Sequence, residues 1–264
     1  MSVTEVQQTL FFPLFGRAAA AQKWPECFSD PWAVEVTEAA EQGGVAVAEM
    51  DGFPAMVLGL RHLMAVVEAK RYLAEYPGAA VVNMGSGFSQ LGRDLQGYDC
   101  TVYNLDDADV LELRKNWCSD DGVDLPYAIT DHAWMDHVDA SKGLIAVASG
   151  KFHYLEVSDV EKLIDEMGKR FPGSRLCYDS ESPQVQAGGQ VQRRALKDEP
   201  MPFKVDDPYE IRFWSDRVAD VDIEFNFTNY LDPDKREFLP FGYRAGFNFF
   251  ELIQGMYVVK VDFK

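Results

Sequence analysis

The feature that most constrains the fold is an apolar strand that runs directly into a glycine-containing loop, Val81-Val-Asn-Met-Gly-Ser-Gly-Phe88. A second apolar segment, 102–105, ends on the carboxylate of Asp106, about twenty residues after the loop. Glycines let a backbone approach a ligand closely, and a carboxylate at this distance accepts hydrogen bonds from ribose hydroxyls. The spacing predicts a loop for a nucleotide-like cofactor. A tight strand-to-helix turn without a ligand is the alternative interpretation of Gly85 and Gly87.

Strands and helices alternate through the middle of the chain, which is typical of a parallel, doubly wound α/β sheet. Strands are predicted at 80–84, 101–105, 127–130, 144–149 and 175–179, and a last one follows Gly255. Helices are predicted at 88–95, 108–118 and 157–170, the last with a capping box of Ser158 and Glu161.

The first 78 residues are predicted to form a helical N-terminal cap. Asp30 and Pro31 are typical of a helix start, and Gly43-Gly44 of its end. Apolar residues then recur at helical spacing over 56–67. We expect residues 79–264 to form the α/β core, with an insertion at about 181–207. Cap and core are expected to make one integrated domain.

Charge and composition narrow the classes of function. The chain has 25 basic and 43 acidic residues and a net charge of −18, which argues against nucleic acid and anionic membranes as partners. The N-terminus shows no signal peptide, so we expect a cytoplasmic protein. His132 and His137 fall on different faces of a helix, so no metal site is predicted.

The sequence of the glycine loop limits the kinds of cofactor that it could bind. A dinucleotide-binding fold would have a third glycine where this chain has Gln90, which disfavours a nicotinamide-dependent oxidoreductase. The P-loop motif is absent from the sequence. A cofactor with ribose and adenine but no phosphate remains, and S-adenosylmethionine is such a molecule. Arg61 lies on the apolar stripe of its helix, where it either snorkels to the surface, the favoured interpretation, or is buried against an anion.

Several blocks of sequence, in order, resemble those of a known family. The chain is similar to the leucine carboxyl methyltransferases and tetracenomycin-type polyketide O-methyltransferases, which are class I S-adenosylmethionine-dependent methyltransferases. The matching blocks are Thr9–Ala18, Phe28–Ala33, Leu60-Arg61, Val82–Gly87, Tyr103–Val110, Ile129–Asp131 with Trp134, Ala146–Leu155 and Phe171–Gly173.

The resemblance implies a Rossmann-like fold with a seven-stranded, mostly parallel sheet flanked by helices, and S-adenosylmethionine as the cofactor. It also implies roles for individual residues. Arg61 would pair with the cofactor carboxylate, Gly85 and Gly87 would line its methionine and ribose, Asp106 would bind the ribose, Asp131 and His132 would flank the adenine, Ser149 would lie beneath the methionine, and His153 and Tyr154 would be nearest the acceptor as catalytic candidates.

The predicted function is methyl transfer to a hydroxyl or carboxyl oxygen of a small, aromatic or polyketide-like acceptor. A hydroxyl acceptor benefits from a base, for which His153 is the candidate, although a histidine that only packs is the alternative. Some positions depart from the family pattern, among them Val66, Ser89, Asn104 and Ser149. A non-catalytic cofactor-binding or scaffold protein of the same fold therefore stays open, as does a homodimer.

Overall fold

The computed structural model describes residues 5–47, 50, 52–118, 122–188 and 201–264. Three helices precede the first strand: α1 (Glu5–Lys23), α2 (Pro31–Gln42) and α3 (Phe53–Glu75). The predicted start of α2 is confirmed, because Asp30 Oδ1 accepts the Ala33 N–H at 2.9 Å and Pro31 is the first helical residue. None of the described helices is long and apolar enough to cross a membrane.

The predicted seven-stranded, mostly parallel sheet is confirmed, with the order β3-β2-β1-β4-β5-β7-β6. Its strands are β1 (Ala80–Met84), β2 (Thr101–Asp106), β3 (Val123–Pro126), β4 (Leu144–Ala148), β5 (Arg175–Glu181), β6 (Val218–Glu224) and β7 (Met256–Phe263). Strands β1 to β5 pair in parallel, and β7 is antiparallel to both β5 and β6. The parallel strands therefore end at one edge of the sheet, where ligands bind in such folds.

Six further helices follow β1 in the described residues. They are α4 (Leu91–Asp94), α5 (Ala108–Arg114), α6 (Val157–Arg170), α7 (Pro183–Gly188), α8 (Pro233–Arg236) and α9 (Phe241–Leu252). Short 3-10 helices lie at His132–His137, Phe152–Tyr154, Pro208–Phe213 and Phe227–Tyr230. The predicted insertion is helical at α7, and its residues 189–200 lie outside the described part of the chain.

Both faces of the sheet are covered. On one face, Met56, Leu60 and Met64 of α3 share a buried core with Val81 and Val147. On the other face, the apolar residues of α6 pack against the alternate residues of the same strands, such as Val82 and Ala146. This double burial explains why β4 is apolar throughout and why β1 is apolar except at Asn83.

Some boundaries differ from the sequence prediction. The third strand lies at Val123–Pro126 rather than 127–130, because β3 is an edge strand in which most residues are exposed, and its apolar signal is weak. The capping box of α6 is wrong: Ser158 lies inside the helix, and Glu156 precedes the first turn without a side-chain cap. Helix α4 starts later than predicted because residues 85–90 form the glycine loop.

Candidate functional site

A cavity of about 780 Å³ opens at the carboxyl ends of the parallel strands. Four strand ends contribute to its wall: Gly85 follows β1, Asp106 ends β2, Ser149 follows β4 and Glu181 ends β5. The sheet order reverses between β1 and β4, and this switch point is the expected place for a ligand in an open α/β sheet.

The glycine loop and Asp106 form one wall of the cavity. Gly85 and Gly87 have φ values of +66° and +43°, a conformation that favours glycine. Asp106 is buried and accepts the Gly87 N–H at Oδ2 (2.9 Å) and the Asp107 N–H at Oδ1 (3.0 Å). Asp106 is therefore fixed against the loop, with its carboxylate at the cavity wall.

Lys151 lies over the glycine loop. A Cβ atom on Gly85 would lie 2.6 Å from Lys151 Cγ, so the two residues are in close contact. The Lys151 ammonium is 3.9 Å from Asp106 Oδ1, and its side chain is 35% exposed. A half-buried cation therefore partly balances the carboxylate that we expect to meet a ribose.

Arg61 is buried in an ionic cluster at the base of the cavity. It is 4% exposed, with Nε 2.6 Å from Asp179 Oδ2 and Nη2 3.2 Å from Glu181 Oε1. The favoured prediction that Arg61 snorkels to the surface is wrong, because two carboxylates from β5 compensate its charge inside the protein. Burial alone would raise the pKa of Asp179, but Arg61 and His153 lower it to about 2.

His153 and Tyr154 fall on different sides of the cavity wall. Tyr154 lines the cavity, whereas His153 is fully buried and does not. His153 Nε2 lies 3.2 Å from Arg61 Nη2 and 3.5 Å from Asp179 Oδ2. This burial does not suit the predicted role of a base that contacts an acceptor. It places His153 behind Arg61 as part of the ionic cluster.

Asp131 and His132 do not line the cavity. Asp131 is exposed, and its Oδ1 accepts the Ala133 N–H at 3.1 Å at the start of the 3-10 helix His132–His137. Partial burial lowers the pKa of His132. Their predicted position beside an adenine remains a prediction. Within the described residues, no group of three or more His, Cys, Asp or Glu could hold a metal ion.

A polar network that the sequence did not reveal joins the N-terminal helices to the glycine loop. Arg17 Nε donates to Asp30 Oδ2 (2.8 Å), and Arg17 Nη1 donates to the Phe88 carbonyl (3.3 Å). Gln90, in the third-glycine position, donates to Asp30 Oδ1 at 3.0 Å. Burial would raise the pKa of Asp30, but Arg17 and His62 lower it. The N-cap motif at Asp30 was visible in the sequence, but its long-range partners were not.

Part of the cavity wall is apolar and aromatic. Phe53 of α3 lies 5.4 Å from Phe250 of α9 between ring centroids, and both rings line the cavity. Phe249 also lines it and is 56% exposed. Phe247, about one helical turn before Phe250, packs in the core instead. The aromatic C-terminal segment thus contributes to both the pocket and the core.

Comparisons with known proteins add an independent view of this geometry. No protein family model matches the chain. The plantazolicin methyltransferase BpumL, solved with S-adenosylhomocysteine, has 12% identity, a TM-score of 0.52 and coverage of 97% of this chain and 99% of its own. The chain has the class I methyltransferase fold. A DUF574 family protein from Streptomyces avermitilis is also similar in structure to this chain. The TM-score is 0.59 and the identity 13%, and the match covers 87% of this chain and 90% of that protein.

A curated sequence relative supports the narrower resemblance. The tetracenomycin polyketide synthesis O-methyltransferase TcmP of Streptomyces glaucescens is 27% identical over 118 residues, or 44% of each chain. The match thus spans less than half the length of that relative. This local match confirms the predicted resemblance of the chain to the tetracenomycin-type methyltransferases.

Proposed function

We propose that this chain is an S-adenosylmethionine-dependent O-methyltransferase that acts on a hydroxyl or carboxyl oxygen of a small molecule. The observation that carries the proposal is the continuity of the cavity. The same cavity is lined by the glycine loop and Asp106 and by the aromatic rings of Phe53 and Phe250. A cavity with both a polar part for the cofactor and an apolar part for the acceptor is what methyl transfer to an apolar small molecule requires.

The residues present fit the cofactor. The loop at Gly85 and Gly87 offers its backbone to the cavity, and Asp106 offers a carboxylate for ribose hydroxyls. Ser86 Oγ, on the same wall, is buried and has no hydrogen-bond partner among the described residues, so it can still bond a ligand. Arg61 would hold the carboxylate of the amino-acid end.

The protein's share of the chemistry is alignment and exclusion of water. When bound, S-adenosylmethionine supplies an activated methyl group on a sulfonium centre. The apolar wall would hold the acceptor oxygen in line with that methyl group and keep water away. A carboxylate acceptor needs no base, whereas a hydroxyl acceptor benefits from one. Tyr154 is the catalytic candidate that lines the cavity, and we assign the acceptor contact to it rather than to His153.

Titration calorimetry with S-adenosylmethionine, S-adenosylhomocysteine and a nicotinamide dinucleotide tests the proposal. We expect the two sulfur cofactors to bind and the dinucleotide not to bind, because the loop has Gln90 in place of the third glycine. Binding of the dinucleotide alone would favour an oxidoreductase. Absence of binding by all three would favour the scaffold alternative. Sedimentation would test the homodimer, which remains a prediction.

A further inference from the structure

Glu181 adds a second charge to the part of the cavity that holds Arg61. It is the last residue of β5, its side chain is 12% exposed, and it lines the cavity. Its Oε1 is 3.2 Å from Arg61 Nη2. Within the described parts of the chain, Oε2 accepts no hydrogen bond, so this oxygen can still meet a ligand. A carboxylate that faces the cavity therefore lies directly beside the guanidinium.

The two carboxylates beside Arg61 differ in whether they reach the cavity. Asp179 is fully buried, and both of its oxygens are used: Oδ2 is 2.6 Å from Arg61 Nε, and Oδ1 accepts the Gly150 N–H at 2.6 Å. Asp179 does not line the cavity, whereas Glu181 does. Asp179 therefore holds Arg61 in place, and Glu181 is the carboxylate that a ligand can reach.

The charge balance favours a cation at this point. Two carboxylates, those of Asp179 and Glu181, lie against the single guanidinium of Arg61. The other cations at the cavity wall have carboxylates of their own, since Lys151 lies near Asp106 and Arg17 binds Asp30. A carboxylate in a low-dielectric wall attracts an opposite charge more strongly than the same carboxylate in water does.

We propose that Glu181 binds the α-ammonium of the cofactor's amino-acid end, while Arg61 binds its α-carboxylate. An amino-acid zwitterion carries these two charges on one carbon atom, and adjacent Arg61 and Glu181 side chains present the complementary pair. Charge-assisted hydrogen bonds of this kind are the stronger ones in proteins. This inference rests on the proposed function and adds a binding residue, Glu181, to it.

The test compares three ligands by calorimetry: S-adenosylhomocysteine, its des-amino analogue 5′-(3-carboxypropyl)thioadenosine, and its decarboxylated analogue 5′-(3-aminopropyl)thioadenosine. We expect the wild-type protein to bind the des-amino ligand about tenfold more weakly than S-adenosylhomocysteine. In Glu181→Gln the two affinities should become nearly equal, because the ammonium has lost its partner. The decarboxylated ligand should stay weaker in both proteins, because Arg61 is unchanged.

Two variants complete the design. Glu210→Gln removes the same charge at an exposed residue outside the cavity, and it should behave like the wild type. If Glu181→Gln does not fold in a thermal melt, Glu181→Asp keeps the charge, and the loss on removing the ammonium should be intermediate. An undiminished tenfold loss in either Glu181 variant would overturn the inference. Equal loss of discrimination against both analogues would also overturn it, since Glu181 would then only hold Arg61. No binding of S-adenosylhomocysteine to the wild type would instead contradict the proposed function.

Discussion

Arg61 links the ligand site to the stability of the fold, because its partner Asp179 is fully buried. In Arg61→Ala the carboxylate of Asp179 would lose its compensating charge, and the free energy of unfolding should fall by about 3–5 kcal/mol. The double variant Arg61→Ala/Asp179→Asn should recover part of this loss, because a neutral amide costs less to bury. Urea denaturation measures both. A double variant no more stable than Arg61→Ala would contradict the account.

The low pKa of Asp179 gives its contribution a definite pH range. The folded value of about 2 lies below the ordinary value of 3.8, so the contribution is complete above pH 4 and is lost as the pH falls towards 2. This shift corresponds to about 2 kcal/mol. Urea denaturation of the wild type between pH 5 and pH 3 should therefore show a steeper loss of stability than Asp179→Asn. Parallel pH profiles of the two proteins would contradict this prediction.

At the scale of single elements, the loop after β1 is shaped by both conformation and contact. Gly85→Ala should destabilise the protein by more than Gly97→Ala. Both residues have positive φ, but a Cβ would meet Lys151 only at Gly85, whereas Gly97 has open space. The conformational part alone costs about 1–2 kcal/mol. Adding Lys151→Ala to Gly85→Ala should bring the cost down to that of Gly97→Ala. Thermal melts would show this, and equal costs for the two single variants would exclude the contact.

Asp30, at the start of α2, makes two separate stabilising interactions. Asp30 caps the helix through the Ala33 N–H, and it binds Arg17 of α1. Asp30→Ala removes both interactions and should cost about 1 kcal/mol for the cap and more for the buried, unpaired Arg17. Asp30→Asn keeps a capping oxygen and should cost less. Exposed Glu38 of the same helix provides the control, since Glu38→Ala should change stability by less than about 0.5 kcal/mol. Equal losses in both Asp30 variants would contradict this division.

The elements that the sequence predicted well are those with strong local signals. Helix α6 was predicted at its observed bounds, although its predicted capping box is absent, and β1 was predicted from its apolar residues before the glycine loop. The location of β6 was not predicted, because most of its residues are exposed or half-buried and, within the described residues, it pairs with β7 at the edge of the sheet. Short edge strands carry little periodicity, so their position depends on pairing partners that are distant in the sequence.

Across the whole molecule, the residues of the site also differ in whether the sequence could predict that they meet. Gly85, Gly87 and Asp106 belong to one βαβ unit, so their spacing alone predicted that they meet. Arg61 and Glu181 are 120 residues apart, and no local pattern relates them. The sequence could mark Arg61 as a cation on an apolar stripe, but only the packing of α3 against β5 shows which carboxylates compensate it. Ion pairs between residues that are distant in the sequence are therefore the part of this site that the sequence did not predict.

We propose that the cavity at the switch point of the sheet binds S-adenosylmethionine through Asp106. Titration calorimetry of the wild type and Asp106→Asn with this cofactor tests it most directly, because the amide removes the charge while it keeps the shape of a side chain that holds the Gly87 N–H. We predict binding to the wild type and an affinity at least about tenfold lower for the variant, since hydrogen bonds to a charged group are lost. Equal affinities in the two proteins, or no binding to the wild type, would contradict the account.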